Sequence, residues 1–125
     1  MPEKVTLNEQ NGIIEVASYG VVTKQEIMDS IDIVMKIHRE KGIDKVLVDS
    51  RQQTRMPNTM EIIELFSKFP DNLKVAVWVS ETQPTVKDEA FLETVAINRF
   101  FKFRMFFSEE QALAWLNAPA AATSA

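Results

Sequence analysis

The chain has 125 residues, 46% of them hydrophobic and 26% charged, with a formal net charge of −4. This length and balance describe one globular domain that can bury a core unaided, and the acidic excess makes nucleic acid an unlikely main partner. Cysteine is absent and His38 is the sole histidine, which excludes disulfides, thiolate nucleophiles and any metal site built on thiolates or a histidine pair.

Residues 4–8 are predicted as a short strand. Asn11 and Gly12 give a turn signal, and residues 13–19 alternate as a second strand, so the two should form an antiparallel hairpin. Thr23 and Glu26 have capping-box spacing. The helix behind them carries Ile27, Ile31, Val34, Met35 and His38 on one stripe and should end at Lys41 and Gly42. Residues 45–49, Lys-Val-Leu-Val-Asp, suit a strand buried on both faces. A polar loop is expected over 50–57. Asn58 and Glu61 form a second cap pair, and the helix that follows should turn Ile62, Ile63, Phe66 and Phe69 inward and stop at Pro70. Residues 73–79 interleave Val75, Val77 and Val79 with Ala76 and Trp78, a strand pattern. Thr85 and Asp88 should open a third helix through Phe91, Leu92, Val95, Ile97 and Phe100. Residues 103–107 read as a last strand, and Ser108 with Gln111 caps a final helix bearing Leu113, Trp115 and Leu116. Strand and helix alternate after the hairpin, which implies right-handed crossovers. The expected fold class is α/β, a mixed, largely parallel sheet of about five strands with four helices. Residues 1–117 should form a single domain, with 118–125 a flexible, alanine-rich tail. The first residues lack the pattern of a secretory leader, and no apolar run approaches the roughly 20 residues of a membrane span, so the expected location is cytoplasmic.

Three stretches narrow the fold. One is Val46-Leu47-Val48-Asp49 running into a polar loop. Another is Val75-Ala76-Val77-Trp78-Val79. The last is the close Phe106-Phe107-Ser108-Glu109-Glu110-Gln111-Ala112-Leu113-Ala114-Trp115-Leu116. With the element order, they resemble the STAS fold, and more narrowly the SpoIIAA-like (STAS/SEC14-type) bacterial domains, over residues 5–116. The resemblance implies two uses. Anti-sigma-factor antagonists of this type bind a kinase partner and are switched by phosphorylation of a serine that opens the helix after the third strand, in an Asp-Ser setting. Here that place holds Pro57-Asn58-Thr59-Met60, so Thr59 is the phosphoacceptor candidate, and the Asp-Ser pair is missing. The SpoIIAA-like branch resembles lipid-transfer domains and implies an apolar pocket or a membrane contact instead.

Ligands of α/β sheets gather at the carboxyl ends of parallel strands, beside helix N-termini. That edge nominates Asp49, Ser50, Arg51, Arg55, Asn58, Thr59 and Ser80, with the arginines able to hold an anion. The plainer alternative is that Asp49 and Arg51 pair with each other and the hydroxyls only cap. Phe91 and Phe101, in and after an aromatic third helix, are candidates to contact an apolar ligand. Residues 99–107 interleave basic and aromatic side chains. They could form a membrane-facing or single-strand-binding surface, but period two favours core packing of Phe103, Met105 and Phe107, leaving Phe101 and Phe106 as the ones expected at the surface. Two such faces meeting would give a homodimer. Glu61 with Glu64 and Glu109 with Glu110 look solvated, and neither a glycine-rich phosphate loop nor a Gly-x-Ser-x-Gly elbow occurs. The expectation is a non-catalytic binding or regulatory domain with no metal or cofactor. It would hold a small apolar or amphipathic ligand, or contact a membrane or an unidentified protein partner. A phospho-switched interaction module is the alternative, and an enzyme using Asp49, Ser50 and Arg51 on an anionic substrate is the third reading.

Overall fold

The computed structural model describes residues 3–118. Strands β1 (Glu3–Asn8), β2 (Ile13–Val21), β3 (Lys45–Arg55), β4 (Lys74–Trp78) and β5 (Phe103–Phe106) form one sheet in sequence order. Between and after them lie helices α1 (Lys24–Lys41), α2 (Thr59–Phe66), α3 (Val86–Asn98) and α4 (Glu109–Asn117). The first pair is antiparallel and the other three are parallel, the mixed sheet that the alternation predicts. The expected tail at 118–125 falls outside the described residues, except for Ala118.

Local chemistry sets most boundaries. At the hairpin, Asn11 Oδ1 accepts from the Ile13 amide at 3.1 Å, and Gly12 takes φ +68°, a left-handed conformation that glycine adopts without a Cβ clash. Thr23 and Glu26 form the full capping box, and Gly42 ends α1 in the left-handed region with its amide on the His38 carbonyl. Asn58 accepts from the Met60 amide at 2.8 Å. Glu61 does not complete that cap; it lies 3.8 Å from Lys24 instead. Ser108 accepts from the Gln111 amide at 3.3 Å.

Each crossover steps one strand in the same direction, so right-handed connections put α1, α2 and α3 on one face of the sheet. The larger core lies there, with Val16, Val34, Ile63, Phe66, Val77 and Leu92 among its members. α4 covers the other face, where Ala112 and Leu116 pack on Ile13, Leu47 and Ala76. Burying each of the larger aliphatic side chains contributes about 1.5–3 kcal/mol.

Three expectations are corrected. Residues 50–55 are strand rather than loop, because β2 runs on beside them to Val21 and supplies their backbone partners. α3 ends at Asn98, and its inward stripe is Glu89, Leu92 and Ala96 rather than Phe91, Ile97 and Phe100. Phe101 and Phe106 are half-buried, while Phe100 is 94% exposed and holds φ +65°. The Phe100 amide donates to Ile97 and the Phe101 amide to Ala96, a Schellman ending with phenylalanine where glycine is usual.

Candidate functional site

A cavity of about 100 Å³ lies inside the larger core, between the sheet and the three helices on that face. Most of its wall is apolar: Val16, Val48 and Val77 from the sheet, with Ile27, Ile62 and Leu92 from the helices. Four polar residues also line it, Glu3, Ser30, Gln53 and Glu89. No lysine, arginine or histidine does.

The polar residues come from separate elements, and each has a local reason to point inward. Glu3 opens β1 opposite Ser18 of β2. Ser30 adjoins Ile27, Ile31 and Val34 on the buried stripe of α1. Glu89 lies three and seven residues before Leu92 and Ala96, one face of a helix. Gln53 depends on a β-bulge. Between the pairs Ala17 with Asp49 and Tyr19 with Gln52, two residues of β3 oppose the single Ser18. The extra residue reverses the alternation, so inward positions are Val46, Val48 and Ser50 before it and Gln53 after it.

A buried hydrogen-bonded chain holds this end. Gln53 Nε2 donates to Ser18 Oγ at 2.8 Å, and Thr85 Oγ1 donates to Gln53 Oε1 at 3.2 Å. Gln83 Nε2 donates to Thr85 at 2.8 Å, and Gln83 Oε1 accepts from the Ser80 amide at 2.7 Å. Thr85 therefore makes no side-chain cap on α3, contrary to its expected role; its hydroxyl belongs to this chain. Glu89 stands apart. It is 4% exposed, yet no donor among the described residues reaches its carboxyl. No fully enclosed side-chain oxygen or nitrogen lacks a partner, which leaves the Glu89 carboxyl opening onto the cavity. Burial, and then the charges of Asp88 and Glu3, push its pKa up to about 8. Burial also raises Glu3, partly offset by the hydroxyls of Ser30 and Ser18, while the charge of Glu26 adds to the rise.

The residues nominated from sequence are scattered around this site. Asp49 and Arg51 lie on the α4 side and pair with each other, Nε to Oδ1 and Nη2 to Oδ2, both at 2.9 Å. The guanidinium also stacks 3.4 Å from the centre of the Trp78 ring. Burial would raise the Asp49 pKa, but the side-chain and backbone hydrogen bonds from Arg51 outweigh it and hold the carboxyl below its usual range. Ser50 is fully buried and donates to the Trp78 carbonyl at 3.4 Å. Arg55 is exposed at the end of β3, Asn58 caps α2, and Ser80 bonds to Thr82. Thr59 is only 9% exposed, whereas a phosphoacceptor must be reachable by a kinase. Phe91 is exposed and off the cavity, and Phe101 packs edge-on against Phe66 at 5.7 Å. Glu3, Ser30, Gln53 and Glu89 were missed. The readable signals were the acid at position 89 and the serine at position 30, each set in an apolar helical stripe.

No helix of the described residues is long and apolar enough to cross a membrane. No group of three or more His, Cys, Asp or Glu side chains able to hold a metal occurs among them. No family model matches the sequence, and no curated protein matches it. A solved structure of similar fold is an uncharacterized protein of the DUF3478 family, with a SpoIIAA-like fold, from Shewanella loihica PV-4. It is 15% identical, covers 91% of each chain and superposes with a TM-score of 0.64. Strand order, helix placement and this superposition agree on one conclusion: the chain has a SpoIIAA-like α/β fold.

Proposed function

We propose that this chain is a non-catalytic binding domain that holds a small ligand with an apolar body in the cavity under α1, α2 and α3. One observation carries the reading: between the sheet and the three helices the main core leaves about 100 Å³ of space, partly open to solvent, with an apolar wall and four polar residues in its lining. Protein interiors are otherwise close-packed, and an apolar cavity of about 150 Å³ is enough to take up benzene. The polar part of the lining stands toward the carboxyl ends of β2 and β3, where Glu3 lies opposite Ser18 and Gln53 pairs with Gly20, the side on which α/β sheets place their ligands.

The test is a titration of the ¹⁵N-labelled protein with n-butanol, followed by amide NMR. The reading expects saturable shifts at Val48, Val77 and Leu92. Shifts that are absent, or confined to the face under α4, would overturn it.

A further inference from the structure

We propose that the ligand of this cavity is an amphipathic amine, its short alkyl body against the valines and its ammonium between Glu89 and Glu3. The proposal rests on the cavity-binding reading above and specifies the head group.

The geometry points to a cation. Two carboxyl side chains from different elements, β1 and α3, line one small cavity. One of them, Glu89, is almost wholly buried and has no hydrogen-bond donor among the described residues. A buried carboxyl without a donor is an unfilled requirement. An alkylammonium offers three N–H donors and a positive charge at once. Ser30, Ser18 and Gln53 are occupied beside it, with Gln53 fixed at both ends of its amide.

The alternatives fit less well. A carboxylate or phosphate head would meet two acids with no basic side chain in the lining. A hard metal ion needs six or more oxygen ligands, and no group of three or more His, Cys, Asp or Glu placed to hold a metal occurs among the described residues. A neutral alcohol could enter and hydrogen-bond to one carboxyl, but it offers one donor and no charge to set against two acids. The charged groups around Glu89 are all acidic: Asp88 beside it on α3, and Glu3 from β1, which itself faces Glu26 of α1. The body is bounded by volume. Against about 150 Å³ for benzene, this space suits about four carbons.

Binding an ammonium would draw a proton off Glu89, because the ion pair favours the carboxylate. Affinity should therefore rise with pH between 6 and 8.5, while the amine itself stays charged.

The experiment compares n-butylamine, n-butanol and butyrate by amide NMR at pH 6.0, 7.2 and 8.5, on the wild-type protein and on Glu89→Gln. The expected result is that n-butylamine binds at least ten-fold tighter than n-butanol at pH 8.5 and that butyrate fails to bind. The preference for the amine over n-butanol should shrink at pH 6.0 and in Glu89→Gln. If n-butanol or butyrate binds as well as the amine, the amine head is refuted while the cavity reading stands. If none of the three shifts the cavity amides, both fall. Should Glu89→Gln fail to fold, the comparison of three probes on the wild-type protein still decides.

Discussion

Glu89→Gln is expected to make the protein more stable at neutral and alkaline pH. Burial among apolar groups raises the carboxyl to about 8 from its ordinary 4.5. Between those two values the folded chain keeps a proton that the unfolded chain has released, so stability falls as pH rises through the window. At about 1.4 kcal/mol per pH unit, the loss is roughly 3 kcal/mol by pH 7 and about 5 kcal/mol above pH 8. Glutamine has nearly the same shape and carries no charge, so the variant escapes this loss. Urea unfolding at pH 5, 7 and 8.5, at one salt concentration, reads the difference. The two proteins should agree within about 1 kcal/mol at pH 5 and separate by several kcal/mol at pH 8.5. Other titrating groups cancel when the two curves are subtracted. Parallel pH profiles would refute the reasoning and mean that Glu89 is hydrated or paired in solution.

Gln53→Leu should cost about 2–3 kcal/mol, because Ser18 and Thr85 lose a buried partner, whereas Gln52→Ala should cost under about 0.5 kcal/mol on its exposed side. Chemical denaturation of both variants tests the bulge, and the reverse ranking would mean that the strand keeps its regular alternation. Phe100→Gly should stabilise by about 1 kcal/mol, since φ +65° strains a residue with a Cβ and the lost ring is almost fully exposed; a thermal melt that drops would show the ring making a contact. Arg51→Ala should raise the Asp49 pKa, read by carboxyl ¹³C titration, at a stability cost under about 1 kcal/mol because the pair is partly solvated.

The elements were readable where a local cause decided them. Capping at Thr23 and Ser108, the turn at Gly12 and the valine runs of β3 and β4 all act over a few residues. The polar part of the cavity lining stands near the carboxyl edge of the sheet, but the residues nominated there are not the ones that line it. Asp49 and Arg51 drew attention as charged groups beside that edge, yet they satisfy each other on the far face. Gln53 was hidden because its polar surroundings read as a loop, and even as a strand the bulge before it would defeat a count by twos. Glu89 was hidden by the rule that carboxylates face water, which its helical register contradicted. Phe100 was expected within the third helix, but the helix ends two residues before it, and the ring is almost fully exposed.

The bulge in β3 has a consequence for how such a chain can change over time. A regular strand ties its two faces together, since any inserted or deleted codon swaps them. Here the surplus residue lies between two segments with opposite phase, so the cavity floor at Gln53 and the stacked cover at Arg51 are written independently. Deleting Arg51 would remove the cover on Trp78 and, by restoring the regular pleat, still leave Gln53 turned toward Ser18. Descendants of one ancestor could therefore differ by a residue at this point and keep the same cavity, with the gap in their alignment falling inside a strand rather than in a loop.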